Sequence, residues 1–207
     1  MITRLLAFAV LVGTATSCGD VVRSGRSPVM LVINSLTAAP GGGHGAGTFS
    51  SVLLSDVVVN LTTPPPCTTT SPCPTIFNDS GQLTLSLALK NIGSPGAAVA
   101  PTTNNAVTVN RIHIEYIRAD GRNTPGVDVP YAFDGAVTGT VPPGGTLSVG
   151  FEIVKHVAKE ESPLVQLRTS GTITTICRVT IYGKDMVGND VSATGQIQID
   201  FSNFGDA

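Results

Sequence analysis

Apolar and polar side chains alternate along several segments of the chain, and this period of two constrains the fold more than any other feature. In residues 83–90 leucine occupies every second position, and Thr84, Ser86, Ala88 and Lys90 lie between the leucines. Such alternation is typical of a β-strand with one buried and one exposed face, because successive side chains of a strand point to opposite sides. Alternation or runs of β-branched residues predict further strands at 29–36, 52–60, 112–117, 137–141, 147–157, 172–182 and 196–201.

Clusters of Gly, Pro, Asn and Asp separate these segments and predict turns between them. The chain has 207 residues, enough to bury a core of its own. No helical pattern of about 10 to 15 residues lies between the strands, which disfavours a parallel sheet with crossover helices. About eight strands with this punctuation predict an all-β fold, an antiparallel β-sandwich. The turn clusters lie at 40–43, 64–66, 78–81, 94–96, 120–121, 142–145 and 188–190.

One short helical turn is expected just before the penultimate predicted strand. Ser162 can cap it, Pro163 suits the first helical position, and Gly171 lies beyond its end. Leu164 and Leu167 are three residues apart, so both side chains would face the core.

The first 17 residues have the order of an export signal. Arg4 gives a positive start, residues 5–13 are almost wholly apolar, and small residues follow at 14–17. About nine apolar residues are too few to cross the ~30 Å hydrocarbon layer of a membrane as a helix. We therefore predict a cleaved signal peptide over residues 1–17.

The run Ala15-Thr16-Ser17-Cys18 resembles the lipobox of bacterial lipoproteins. The resemblance implies that Cys18 is acylated and holds the mature chain on a lipid bilayer, with the domain facing the periplasm or the extracellular space of a bacterial envelope. Residues 18–27 have no periodicity and are expected to form a flexible tether, and residues 28–205 the folded domain. The alternative is a plain signal peptide that leaves Cys18 in a secreted chain.

The segment 177–195 contains Asp185 and, three residues later, Gly188-Asn189. Gly and Asn tolerate positive φ, and an Asp side chain can accept backbone N–H bonds in a turn. This segment resembles the final hairpin of bacterial immunoglobulin-like domains, and the whole chain is similar to bacterial lipoproteins with this ending. The resemblance implies an immunoglobulin-like sandwich. The chain departs from the antibody pattern because it has no Trp and no obvious inter-sheet cysteine pair.

Three cysteines are left when Cys18 is set aside. Cys67 and Cys73 are six residues apart in a segment rich in Pro and Thr, and in an exported chain such a pair is expected to form a disulfide. A metal site is disfavoured there, because no second pair and no His lie nearby. Cys177 is in phase with the apolar face of its strand, which favours a buried free thiol. A long-range bridge from Cys177 to Cys67 or Cys73 is the alternative.

Histidines and carboxylates occur only in groups too small to form a complete metal or catalytic site. His113 and Glu115 share one strand face, and His156 precedes Glu160 and Glu161. Each group supplies fewer donors than a metal site usually needs, so we expect these residues to be solvated polar side chains. No nucleophile elbow and no zinc-binding His-Glu-x-x-His motif is present. We therefore name no catalytic residue, no metal ligand and no cofactor.

Two loops could bind small ions in principle. The Gly-rich segment 37–50 lacks the Lys that a phosphate-binding loop requires, and a strand is predicted after it. Asp185, Asn189 and Asp190 surround a turn and could offer oxygens to Ca²⁺, but their spacing is not that of a calcium loop. We expect a flexible loop in the first case and ordinary turn residues in the second.

The charge and composition limit the partners. The formal net charge is −2 and no basic run occurs, so nucleic acid is not an expected partner. We expect a non-catalytic interaction or structural module with a protein partner in the envelope, recognised by loops on a rigid frame or by an exposed sheet edge. One alternative is a secreted or surface module that binds carbohydrate or another ligand, which the lack of Trp disfavours. Another is an envelope hydrolase whose acidic residues meet only in three dimensions.

Overall fold

The computed structural model describes residues 26–94 and 97–206 of the chain. The predicted signal peptide at 1–17 and the predicted acylation site Cys18 lie outside these residues. Strands dominate the described part, whose fold is all-β, as predicted. The strands are β1 (Val29–Ala39), β2 (Val52–Asp56), β3 (Val59–Leu61), β4 (Cys73–Thr75), β5 (Asp79–Leu89), β6 (Gly93–Ser94), β7 (Ala97–Ala98), β8 (Val107–Ile117), β9 (Phe133–Val141), β10 (Thr146–Val154), β11 (Thr172–Asp185) and β12 (Asp190–Ser202).

Two main sheets contain most of these strands. The first has the order β1-β5-β10 and is antiparallel throughout. The second has the order β2-β12-β11-β8-β9, in which β2 runs parallel to β12 and the other pairs are antiparallel. The prediction of antiparallel pairing is therefore wrong at β2, which meets β12 far along the chain, where no hairpin fixes its direction. Two small two-stranded sheets, β3-β4 and β6-β7, complete the strands.

The core lies between the two main sheets, an arrangement compatible with the predicted β-sandwich. The alternation in β5 has the predicted phase, since Leu83 and Leu85 are fully buried. Each such side chain contributes about 1.5–3 kcal/mol when it leaves water. The Tyr116 hydroxyl of β8 donates a hydrogen bond to the Ile153 carbonyl of β10, at 2.6 Å, and so joins the two sheets. Further core side chains come from both sheets: Val29, Leu31, Leu53, Val107, Val109, Ile112, Ile114, Val141, Cys177, Val179, Ile181, Ile199 and Phe201.

In the residues that the structure describes, two short helices lie between β10 and β11, and a 3₁₀ turn lies at Thr103–Asn105. The expected helical turn is present as a 3₁₀ helix at Leu164–Arg168, and Leu164 and Leu167 are both buried. Ser162 does not cap it, because the N-cap position is Pro163 and no side chain bonds there. The helix α1 (His156–Glu160) was not predicted, and it ends the strand that the sequence extended to residue 157.

The cap of α1 comes from a distant strand. The Asn78 side-chain oxygen accepts hydrogen bonds from the His156 backbone N–H at 2.6 Å and lies 2.9 Å from its Nδ1. This contact satisfies an N–H at the helix start that the helix itself cannot pair. A residue nearly eighty positions earlier therefore decides where the strand stops and the helix begins.

The final hairpin has the predicted turn chemistry. Asp185 Oδ1 accepts hydrogen bonds from the Val187 and Asn189 backbone N–H groups, at 3.0 and 2.8 Å. Asp185 Oδ2 accepts a third bond from the Asn189 side chain at 2.8 Å. Gly188 has a φ of +88°, a conformation that glycine adopts at no steric cost. The turn fixes the register in which Lys184 pairs with Asp190.

Candidate functional site

The strand β5 connects two chemically different ends of the molecule. We call the end where β5 begins, at Asp79, the closed end, and the end where it finishes, at Leu89, the open end. The strand's length separates them by roughly 30 Å. Val29 pairs with Leu89 at the open end, so the described chain enters the fold there.

The open end contains a groove of about 520 Å³, which we call the hairpin groove. It lies between the start of β1 and the strands that form the final hairpin. Its floor is apolar, since Val29 and Val191 are buried, and its rim carries both charges, an amide and a hydroxyl. The lining residues are Val29, Met30, Lys90, Asn110, Arg111, Tyr182, Gly183, Asp190, Val191 and Ser192.

An irregularity in β8 shapes the groove. The register between β8 and β11 shifts so that Val109 pairs with Gly183 and Arg111 with Tyr182, leaving Asn110 as an extra residue. Such bulges change the direction of the flanking side chains. A Cβ on Gly183 would lie 2.6 Å from the Thr108 carbonyl oxygen, so only glycine allows the two strands to approach this closely.

Arg111 is fixed on both sides at the rim of the groove. Its guanidinium carbon lies 3.9 Å from the centre of the Tyr182 ring, a cation–π contact. Its Nη1 also donates to Asp134 Oδ1 at 3.0 Å, and the His113 Nδ1 lies 3.2 Å from the same oxygen. These groups are held ready at the surface, and together with Lys90 they suit polar or anionic groups of a partner.

The closed end has a charged pair in the core instead. Lys159 Nζ of α1 lies 2.9 Å from each carboxylate oxygen of Asp79, and both side chains are 1% exposed. Ser55 donates its hydroxyl to Asp79 Oδ2 at 2.6 Å, and the Gly41 N–H donates to Oδ1 at 3.0 Å. We call these four residues the Asp79 cluster. Burial of two charges is tolerated here because every carboxylate oxygen is hydrogen-bonded.

A second buried carboxylate, Asp56, follows Ser55 directly. Its Oδ1 accepts the Val58 N–H at 3.3 Å, whereas its Oδ2 has no partner among the described residues. Burial raises the pKa of the Asp56 carboxyl above its usual range, and the hydrogen bond from the Val58 N–H opposes this rise only in part.

The predicted disulfide is confirmed. Cys67 and Cys73 are bonded, and Cys73 begins β4, which pairs with β3. Residues 62–80 include β4 and the start of β5, so only part of this segment is a loop. Cys177 is a buried free thiol, so the long-range bridge is wrong. Burial raises the pKa of this thiol far above its usual range, which keeps it protonated and unreactive.

The candidate metal ligands contact separate partners and do not converge on one point. His113 contacts Asp134, Glu115 accepts a hydrogen bond from Arg178 at 3.0 Å, and His156 contacts Asn78. Lys184 donates to Asp190, so the carboxylates of the final hairpin are also engaged. The part of the chain that the structure describes brings no three His, Cys, Asp or Glu residues together in a metal-binding group. Within that same part, no helix is long and apolar enough to cross a membrane.

The sequence analysis missed Asp79 and Lys159. Asp79 lies in an Asn-Asp-Ser-Gly run that has the composition of a turn, and Lys159 lies among charged residues of the kind that usually face water. Their pairing depends on a contact across 80 positions, and no local pattern marks it. The Arg111–Tyr182 contact was also missed, although Tyr182 ends the predicted strand 172–182 and Arg111 directly precedes the predicted strand 112–117.

Comparisons with known proteins identify no family for this chain. The chain matches no protein-family model and no curated protein. A solved structure, a Northeast Structural Genomics Consortium target, is similar with a TM-score of 0.35 and 11% sequence identity, over 83% of this chain and 86% of that chain. A TM-score this low supports no conclusion about function.

Proposed function

We propose that the chain is an envelope lipoprotein, held on a bacterial membrane by acylated Cys18, that acts as a non-catalytic interaction module with an immunoglobulin-like frame. The observation that carries this proposal is the open end, because it combines the hairpin groove with several exposed apolar side chains. These side chains form two adjacent pairs, because the Val99 N–H donates to the Ile92 carbonyl and Met186 precedes Val187 in the hairpin turn, and neighbouring exposed apolar groups are typical of contact surfaces. The exposures of Ile92, Val99, Met186 and Val187 are 74, 53, 62 and 77%.

The place where the chain enters the fold supports an orientation in which the open end faces the membrane. Ser27 is buried two residues before β1 begins, at the open end. Ser27 lies nine positions after Cys18, and a chain of that length reaches at most about 30 Å. An acyl anchor at Cys18 would therefore keep the open end within that distance of the bilayer, where an envelope partner could meet it.

Two observations support export and the immunoglobulin-like frame. The Cys67–Cys73 disulfide suits an oxidising compartment outside the cytoplasm. The 3₁₀ helix before β11 and the Asp185 hairpin are both features that the resemblance to immunoglobulin-like domains implies.

Anchoring is tested with Cys18→Ser in the host cell. We expect the native protein in the membrane fraction, with an intact mass that includes acyl chains, and the variant in the soluble exported fraction. Cys177→Ser serves as the matched control and should stay in the membrane fraction. An unacylated native chain that begins at Met1 would contradict the proposal.

The interaction role is tested by photo-crosslinking in intact cells. A benzophenone amino acid at Val187 probes the open end, and one at Val127 is the control, since Val127 is 64% exposed in a different loop. We expect a discrete protein adduct from position 187 and none from position 127. Equal labelling at both positions, or no adduct from either, would contradict an interaction surface at the open end.

A further inference from the structure

We propose that Lys159 and Asp79 join covalently, by condensation of the lysine amine with the aspartate carboxyl to an amide, forming an intramolecular cross-link between α1 and β5. The two reacting groups are already in contact, with Lys159 Nζ at 2.9 Å from each oxygen of the Asp79 carboxyl. Both side chains are 1% exposed, so bulk water does not compete for either group. This inference does not depend on the proposed function.

The surroundings of Asp79 favour attack on its carboxyl carbon. The Ser55 hydroxyl donates to one oxygen at 2.6 Å, and the Gly41 N–H donates to the other at 3.0 Å. Negative charge develops on a carboxyl oxygen when a nucleophile adds to the carbon, and fixed donors in a dry site stabilise that charge strongly. The Asp79 cluster therefore has the donors that such an addition needs.

The reaction balances without any co-reactant. A proton passes from the Lys159 ammonium to the Asp79 carboxylate, giving a neutral amine and a carboxylic acid. The amine lone pair forms the C–N bond, the bond from carbon to one oxygen breaks, and that oxygen leaves as water with a proton from the nitrogen.

Two energetic effects favour the amide. Groups held in contact react as if at very high concentration, with effective molarities of about 10⁵–10⁸ M in favourable cases. The amide is also neutral, so its formation removes two desolvated charges from the core. Asp56 is the nearby group that can carry protons: it is buried, its Oδ2 has no partner among the described residues, and burial raises its pKa while the Lys159 charge lowers it.

Mass spectrometry of the full chain, purified and reduced, tests the proposal directly. We expect the purified protein to be lighter by one water molecule than the mass calculated for its own N-terminus together with any acyl chains it carries. Trypsin should release a branched peptide in which residues 27–90 are joined to residues 156–168, because an acylated Lys159 is not a cleavage site. An unshifted mass together with cleavage after Lys159 would overturn the proposal and identify a non-covalent ion pair only.

Three variants sharpen the result. Lys159→Arg keeps the positive charge but should show the full calculated mass, whereas Lys155→Arg, the matched control four positions earlier, should still lose one water. Ser55→Ala should slow formation of the cross-link by roughly 10²–10³-fold, the usual cost of removing one such donor. A water loss that persists in Lys159→Arg would overturn the assignment to this pair.

Discussion

The closed and open ends of the molecule each contain an ion pair, and the two pairs have similar N–O distances but very different solvent exposure. At the closed end, Asp79 and Lys159 are 2.9 Å apart and 1% exposed, whereas at the open end Arg111 and Asp134 are 3.0 Å apart and about half exposed. A buried pair is costly to break because the remaining charge has no water to solvate it. An exposed pair exchanges freely with water and contributes little. Distance alone therefore does not indicate what a pair does.

This difference in burial separates polar residues that stabilise the fold from polar residues that can contact a partner. The Asp79 cluster connects α1, β2 and β5 and leaves no surface for a partner, so its role is internal. Arg111 and Tyr182 keep each other in place but face the hairpin groove, so their polar atoms are available to a ligand. The predictions that follow test this contrast between the two ends.

The largest effect is expected for Lys159→Met. It removes the proposed amide and leaves Asp79 as an unpaired charge in the core, so we expect the free energy of unfolding to fall by at least about 3–5 kcal/mol. Urea denaturation at neutral pH measures the change. Lys184→Met removes a half-exposed lysine from its pair with Asp190 and is the matched control, with an expected loss below about 1 kcal/mol. Equal losses in the two variants would remove the contrast between the ends.

A smaller effect is expected for Asp185→Ala in the final hairpin. Burial would raise the pKa of Asp185, but hydrogen bonds from the side chain and backbone of Asn189 and from Val187 outweigh it and hold the pKa below 3.8. We expect a loss of about 1.5–3 kcal/mol at neutral pH, the range for a hydrogen bond to a charged group. Because the folded-state pKa is lowered, the contribution is complete above 3.8 and lost as the pH falls through the folded-state value.

Asp56→Asn at the closed end should show the opposite pH dependence. The pKa of Asp56 is raised above 3.8, so the folded state holds the proton longer than the unfolded chain does. Ionisation therefore destabilises the native protein as the pH rises from 3.8 through the raised value. We expect the variant to gain stability relative to the native protein over that interval, measured by urea denaturation at several pH values. Parallel pH profiles for the Asp56 and Asp185 variants would contradict this contrast.

A modest effect is expected from loss of the disulfide. Cys67 and Cys73 close a ring of only six residues in separation, so its removal by Cys67→Ser and Cys73→Ser should cost at most about 2 kcal/mol. Thermal unfolding measures this cost, and limited proteolysis should show cleavage confined to the segment before β4. Global unfolding of the double variant at room temperature would show that the ring supports more than its own loop.

The smallest effect is expected for Arg111→Ala at the open end. Its pair with Asp134 is exposed, so the free energy of unfolding should change by less than about 1 kcal/mol. The same variant should weaken the adduct formed from position 187, because the rim of the hairpin groove loses its fixed cation. A stable variant with an undiminished adduct would show that the groove is not part of the contact surface.

The sequence by itself determined the long strands and the phase of their buried faces, whereas the short strands β4, β6 and β7 were not predicted. Alternation marks β5, β8 and β11 because each has one face in the core and one in water, and the side-chain period of a strand is two. The Asp185 turn and the Cys67–Cys73 disulfide were also predictable, since each depends on residues only a few positions apart. Local spacing is enough where the interacting groups are neighbours in the chain.

Only the tertiary structure decided the contacts between distant segments. The parallel pairing of β2 with β12, the cap that Asn78 gives to α1 and the Lys159–Asp79 pair join positions from about 80 to 146 residues apart. Nothing in the residues around Lys159 distinguishes it from a solvated lysine, because its burial is produced by the packing of β2, β5 and α1 together. A charge is stable in a core only when the fold places a partner beside it, and the residues near that charge in the sequence do not indicate the partner.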